Sequence, residues 1–379
     1  MKSEKKTNDK MEKEETPSPP LSSTMTKNDS STNSDFSCPS SHGSSDKNDF
    51  PSNPSSWSNG LIDKFGIRRV MTSPFELVRT EWSLCNLTDA ELSRIDEIVK
   101  ICSLPCVDFD SLEEIPYDET KPYKQWVQEW FPKTTVKELK LFSENCEEFG
   151  YFLFDTMQQI HQPEKRESQL PYEIDYQILF EKFLKLFEFK VMTQSYLPMG
   201  HATIFGQEIS SKADILVTKC DDPRIILSVC EVKRKNPEEG TDFSPVKKKS
   251  CSSSSTLETV NEETSSSTSS IGGLSSNVYA QHVGELLAYL ESSVLKRGLL
   301  GMVIQKTNVL FTFLKIKPES FEKIKRRNKP GSVKFDSTKD EEPILFYTKQ
   351  LNFLKSEDRK IIFKALITMR IMEVKDWDY

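Results

Sequence analysis

Asp214, Glu231 and Lys233 have the residue types and the spacing to share one pocket. The runs that carry them, residues 212–217 and 225–233, are rich in branched apolar residues. They flank Cys220-Asp221-Asp222-Pro223-Arg224, a turn-forming sequence, so they read as two strands of a hairpin. With the turn centred between Asp222 and Pro223, antiparallel pairing sets Asp214 opposite Glu231. Opposed like charges destabilise a strand pair, which then needs a cation between them, a raised pKa on one acid, or a register shifted by a bulge. Lys233 lies two residues past Glu231 and points to the same face, while Val232 points to the other. Two carboxylates and an ammonium at one spot are the groups of acid–base and metal-assisted hydrolysis.

The elements around the hairpin must hold these groups in place. After Pro171, residues 172–187 predict a helix with a broad apolar face of Ile174, Ile178 and Leu184 and, one turn round, Leu179, Phe183 and Phe187. Glu181 falls nearly in line with Ile174 and Ile178, an acid at the edge of a buried stripe whose simplest partners are Lys182, Lys185 or water. Glu173 at the helix start is a competing acid, and its simplest role is favourable interaction with the helix dipole. An extended stretch, 189–197, leads through a Pro-Met-Gly turn into the hairpin. Residues 278–294 form a clear helix with Tyr279, Val283, Leu286, Leu287, Leu290 and Val294 on its core face. Its small-residue strip, Ala280, Gly284 and Ala288, lets it lie close to a sheet and brings Gln281 near the strand ends. Strands at 299–304 and 309–316 follow, joined by the polar turn 305–308. This alternation predicts an α/β fold, a mixed β-sheet core flanked by helices.

The apolar fraction of 36% and a mean hydropathy of -0.54 are low for 379 fully folded residues. A disordered tail is expected over residues 1–70, whose first sixty are dominated by Lys, Glu, Ser, Asn, Asp and Pro, with Phe36, Phe50 and Trp57 as their only aromatics. A Ser-rich surface insertion is expected over 236–276. Residues 76–160 read as an acidic helical extension: Leu92, Ile95, Ile98 and Val99 recur behind the capping box of Thr88 and Glu91, Leu139, Phe142, Cys146 and Phe149 recur further on, and Trp82, Trp126 and Trp130 are core candidates. No apolar run is long enough to span a membrane and the charged N-terminus lacks a secretory apolar block, so the expected location is intracellular, in nucleus or cytoplasm, with Lys247-Lys248-Lys249 as a candidate import signal. Eight scattered cysteines suit a reducing compartment, and the one close pair, Cys102 and Cys106, lacks the further ligands of a zinc site. The net charge of -7 is unevenly spread: Lys and Arg against Asp and Glu number 10 and 20 over residues 76–170 but 31 and 28 over 171–379. The hairpin thus lies in the mildly basic part, with positive runs at 233–235 and 323–329 that could meet phosphates.

Taken in order, an acid-bearing helix, Asp214, sixteen residues, Glu231-Val232-Lys233 and a following helix with Gln281 resemble the PD-(D/E)XK nuclease superfamily, which includes type II restriction enzymes, archaeal Holliday-junction resolvases and RecB-type nucleases. The resemblance covers residues 171–316, less the insertion, and implies a restriction endonuclease-like domain over 171–379. It also implies that Asp214 and Glu231 are metal ligands with the backbone carbonyl of Val232 as a third, that Lys233 assists the attacking water, and that Gln281, with Glu181 or Glu173 from the preceding helix, completes the site. Two positions depart from the pattern: Ala213 replaces the proline of the motif's name, and Glu285 stands where RecB-type members often carry a tyrosine, with Tyr289 one turn later.

The implied chemistry suits the residues. Mg2+ takes hard oxygen ligands, lowers the pKa of bound water and offsets charge in phosphodiester hydrolysis, and Mn2+ is its natural substitute. The expectation is a Mg2+-dependent nuclease, a DNA endonuclease, with nucleic acid as partner and a homodimer as one arrangement for cutting both strands. The alternative is a catalytically inactive restriction-like fold that binds nucleic acid or protein, and a third reading places the function in residues 76–160.

Overall fold

The computed structural model describes residues 50–131, 140–162, 171–193, 197–234, 274–327, 333–336, 339 and 341–375. Residues 1–49 and 235–273, with most of the expected tail, most of the Ser-rich insertion and Lys247-Lys248-Lys249, lie outside the described residues.

In chain order the elements are α1 (Asn59–Asp63), β1 (Arg68–Met71), α2 (Pro74–Glu76), α3 (Asp89–Ile101), α4 (Tyr123–Trp130), α5 (Lys140–His161), α6 (Glu173–Lys185), β2 (Lys190–Thr193), β3 (Gly200–Ile204), β4 (Gln207–Ser211), β5 (Ile215–Thr218), β6 (Ile226–Lys233), α7 (Ser276–Tyr289), β7 (Gly298–Gln305), β8 (Asn308–Lys315), α8 (Pro318–Arg326), β9 (Ile344–Tyr347), β10 (Leu351–Asn352) and α9 (Ser356–Lys375). Eight strands form one mixed sheet in the order β1-β9-β8-β7-β6-β5-β2, with β10 paired to β8. Side chains that alternate along each strand divide two cores. On one face Ile215, Val217, Cys230, Val232, Met302 and Phe311 pack with α3 to α6 and α9, while on the other Leu216, Val229, Val303, Leu310 and Leu345 pack with α7, α8 and residues 50–67. The result is an α/β architecture with helices on both faces of the sheet.

The β6–β7 pair is parallel, so the chain must cross over between them, and α7 is the helix of that crossover. Its N-terminal turns therefore lie over the ends of β6 and β7, where Glu231 and Lys233 emerge. The predicted hairpin is β5–β6, paired Ile215 to Cys230, Leu216 to Val229 and Val217 to Ser228, with a bulge between Val217 and Thr218 on the turn side. Asp214 and Glu231 are the next residues beyond the last of these pairs, Asp214 in the bend before β5.

Three features differ from the sequence reading. Residues 50–70 are folded: Phe50, Trp57 and Phe65 are buried with Phe205 in an aromatic cluster, and β1 pairs in parallel with β9. Low hydropathy averaged over the tail conceals three aromatics that bury together. The helices of 76–160 carry the expected Thr88–Glu91 capping box, but they are no separate extension, since Trp82, Trp126 and Phe149 share one core with Phe183, Phe313 and Phe363. The hairpin β3–β4 was missed. Its turn residues Phe205 and Gly206 both have positive φ, 51° and 76°, as a two-residue hairpin turn requires, and Phe-Gly within alternating apolar residues was the signal for it.

Candidate active site

Asp214 lies in the bend just before β5, and Glu231 and Lys233 end β6 at positions of the parity that faces α7. The opposition of the acids is relieved in part by the backbone: Asp214 Oδ2 accepts the Val232 N–H at 2.7 Å, so one carboxylate folds onto the neighbouring strand. Glu231 is 1% exposed and ion-paired with Lys233. Gln281 of α7 donates from Nε2 to Glu231 Oε1 at 2.6 Å and to Glu285 Oε1 at 3.0 Å. Four of the sequence-predicted residues, Asp214, Glu231, Lys233 and Gln281, are thus brought together, with Val232 bonded to Asp214 through its amide.

Glu181 is not brought to this cluster. Of the expected apolar face, Leu179, Phe183, Leu184 and Phe187 are buried and Ile174 and Ile178 only partly so, while Tyr176, Gln177 and Phe180 complete the buried side of α6, which packs on α5 and β6. Glu181 then meets Lys185 at 2.6 Å and Lys182 at 4.0 Å. The competing acid, Glu173, at the start of the helix, acts electrostatically on Lys233. Gln177, which the sequence reading passed over, donates from Nε2 to the backbone oxygen of Asp214 at 2.6 Å and anchors the start of β5 to α6. A buried amide among apolar neighbours was its only sequence signal.

Charge in the pocket is unbalanced. Burial, then the Asp214 charge, pushes the Glu231 carboxyl up to about 7, although Lys233 pulls the other way. Burial depresses Lys233, but Glu231, Glu173 and Asp214 outweigh it and hold its ammonium above the ordinary lysine range. Glu285 is 1% exposed; burial and then Glu231 raise it well above the usual carboxylate range. Glu285 entered the sequence reading only as a departure from a family pattern, yet it is a third carboxyl of the cluster. Beside it His282 is kept neutral by burial, down to about 3, with Nε2 2.8 Å from Thr312 Oγ1.

Other expected groups are used elsewhere. In the basic run of α8, Lys323 pairs with Glu341 at 2.6 Å, and Lys325 with Glu291 and with Glu322 at 2.9 Å, so these two lysines face acids of their own chain. Cys102 is buried and Cys106 exposed, both as free thiols. Among the described residues no group of three or more His, Cys, Asp or Glu side chains is arranged to hold a metal ion, and no helix is long and apolar enough to cross a membrane. Compared with family models, curated proteins and solved structures, the chain matches none.

Proposed function

We propose that this chain is a divalent-cation-dependent nuclease with a restriction endonuclease-like, PD-(D/E)XK core, and that it hydrolyses phosphodiester bonds of DNA. One observation carries the reading: Asp214, Glu231, Lys233 and Gln281, from the bend before β5, from β6 and from α7, meet at one end of the sheet in a cluster where Lys233 does not offset the burial and the neighbouring acid that raise Glu231. A small hard cation fits that imbalance. Asp214 and Glu231 would hold it, with the Val232 carbonyl as a backbone ligand; Mg2+ keeps most of its waters and takes one or two carboxylates, so a complete cage of side chains is not required. When bound, Mg2+ or Mn2+ supplies an acidified water and charge compensation at the phosphate.

The chain's own residues do the rest. Lys233, raised in proton affinity and pinned against Glu231, remains a cation and a hydrogen-bond donor, so it orients the attacking water and faces a phosphate oxygen. Glu173 of α6 favours its charged form. Gln281 fixes the Glu231 carboxylate from α7. Further cations lie at the same strand ends: Lys212 and Arg234 flank the two acids in sequence, Lys306 donates its amide to the Lys233 carbonyl, and Lys349 adjoins Gln350, which bonds Gln305. They suit a phosphate backbone.

Incubation of supercoiled plasmid with Mg2+, Mn2+ or EDTA tests the proposal. Wild type is expected to cleave only with the cation, and Lys233→Ala to lose about 100-fold or more of that activity. Equal inactivity of both proteins in both cations would end the enzyme reading and leave the alternative, a silent fold of this type that binds nucleic acid or protein, in which the Lys233–Glu231 pair is structural.

A further inference from the structure

The Gln281 amide has two protons on its nitrogen and none on its oxygen, and its nitrogen lies 2.6 Å from Glu231 Oε1 and 3.0 Å from Glu285 Oε1. Turned the other way, the amide oxygen would face Glu231 Oε1, an acceptor whenever Glu231 is ionised, as it is with a cation bound. Both donors are consumed inward. The oxygen is the valence that remains, on a side chain only partly buried.

We propose that Glu285 is a positioning residue: it takes one amide proton of Gln281 while Glu231 takes the other, and so holds the amide with its oxygen left as the acceptor for the attacking water. The role of that water rests on the nuclease reading above. An amide oxygen there repels a non-bridging phosphate oxygen and attracts a water O–H, so Gln281 directs the nucleophile and does not grip the substrate. Nearby packing holds Glu285 in turn. It lies one helical turn from Gln281, 1% exposed, with Oε2 4.0 Å from Nδ1 of the buried His282. His282 is fixed by Thr312 and sits tightly over Gly301, where a Cβ would come within 2.4 Å of Nε2.

Two variants of the full chain, Glu285→Leu and Glu285→Gln, test this. The glutamine keeps an acceptor oxygen for Gln281, whereas the leucine removes it and fills the buried space with carbon. Expected for Glu285→Leu is a fall in kcat of roughly tenfold, the scale of one lost orienting hydrogen bond, with KM for plasmid DNA unchanged or lower. Most of the activity returns in Glu285→Gln. In side-chain amide NMR spectra the Gln281 NH2 signals should be displaced from free-amide positions in wild type and Glu285→Gln, and move toward them in Glu285→Leu. Unchanged Gln281 signals in the leucine variant, or equal loss of kcat in both variants, would overturn the proposal. If wild type does not cleave at all, the nuclease reading fails, and the NMR comparison still decides how the amide is held.

Discussion

Glu231 is the residue on which the pocket's electrostatics turn. Because burial and Asp214 raise its folded-state pKa from 4.5 to about 7, the native chain holds a proton that the unfolded chain has already lost. Stability contributed by this group is complete below the unfolded value and lost as pH rises through about 7. In EDTA Glu231 should therefore make the protein less stable at pH 8 than at pH 5 by up to about 3 kcal/mol, while buried His282, kept neutral down to about 3, acts in the opposite direction by about 2 kcal/mol. The Glu231 contribution is thus read as the difference in pH dependence between wild type and Glu231→Gln in urea or thermal melts. Glu285, raised in the same sense, adds to it. Glu91 and Asp222, held down at about 2 by Lys375 and Arg224, act only below that window. Added Mg2+ should restore stability at pH 8, because a cation replaces the proton in neutralising the acids. The same pH dependence in wild type and Glu231→Gln in EDTA would contradict this account of the cluster.

At the scale of elements, α7 decides where Gln281 and Glu285 lie, and it is clamped from outside by residues 50–69. Pro54 and Trp57 press onto Gly284, where a Cβ would come within 2.6 Å of Pro54 Cβ and 2.9 Å of Trp57 Cε3. Arg69 donates to the Tyr279 hydroxyl at 3.1 Å and covers its ring. Gly284→Ala should thus push the segment off the helix and cost about 1–3 kcal/mol, read from denaturant unfolding. If the aromatic cluster of Phe50, Trp57, Phe65 and Phe205 only covers surface and does not hold α7, Gly284→Ala will be neutral or, as glycine to alanine in an open helix, slightly stabilising.

At the scale of the whole molecule, the helical region and the sheet cannot be separated. Arg359 of α9, 2% exposed, donates to the carbonyls of Leu104 and Val107 and to those of Phe353 and Leu354, tying the loop after α3 to the end of β10. The Leu104 and Val107 carbonyls lose their donor if these parts come apart, and the shared core of Trp82, Trp126, Phe149 and Phe183 is opened to water. A chain starting at residue 171 is therefore expected to show no cooperative thermal transition, whereas one starting at residue 48 should melt as a single unit. A sharp transition for the shorter chain would restore the view of residues 76–160 as an appended domain.

Local chemistry and alternation along the strands were legible in the sequence. The β5–β6 register, the side of the sheet shared by Asp214, Glu231 and Lys233, the Thr88–Glu91 cap and the small-residue face of α7 follow from period-2 and period-3.6 geometry, which neighbouring residues impose by themselves. What packs on those faces did not follow. The packing of α6 that leaves Glu181 with Lys182 and Lys185 and lets Gln177 anchor Asp214 is set by α5 and the sheet, and the burial of Phe50, Trp57 and Phe65 is set by α7 and the β3–β4 turn. Glu285 became a member of the pocket only once the parallel β6–β7 crossover laid α7 over the strand ends. Contacts between residues far apart in the chain depend on which apolar surfaces close on one another, and a single sequence encodes that choice only through the whole fold.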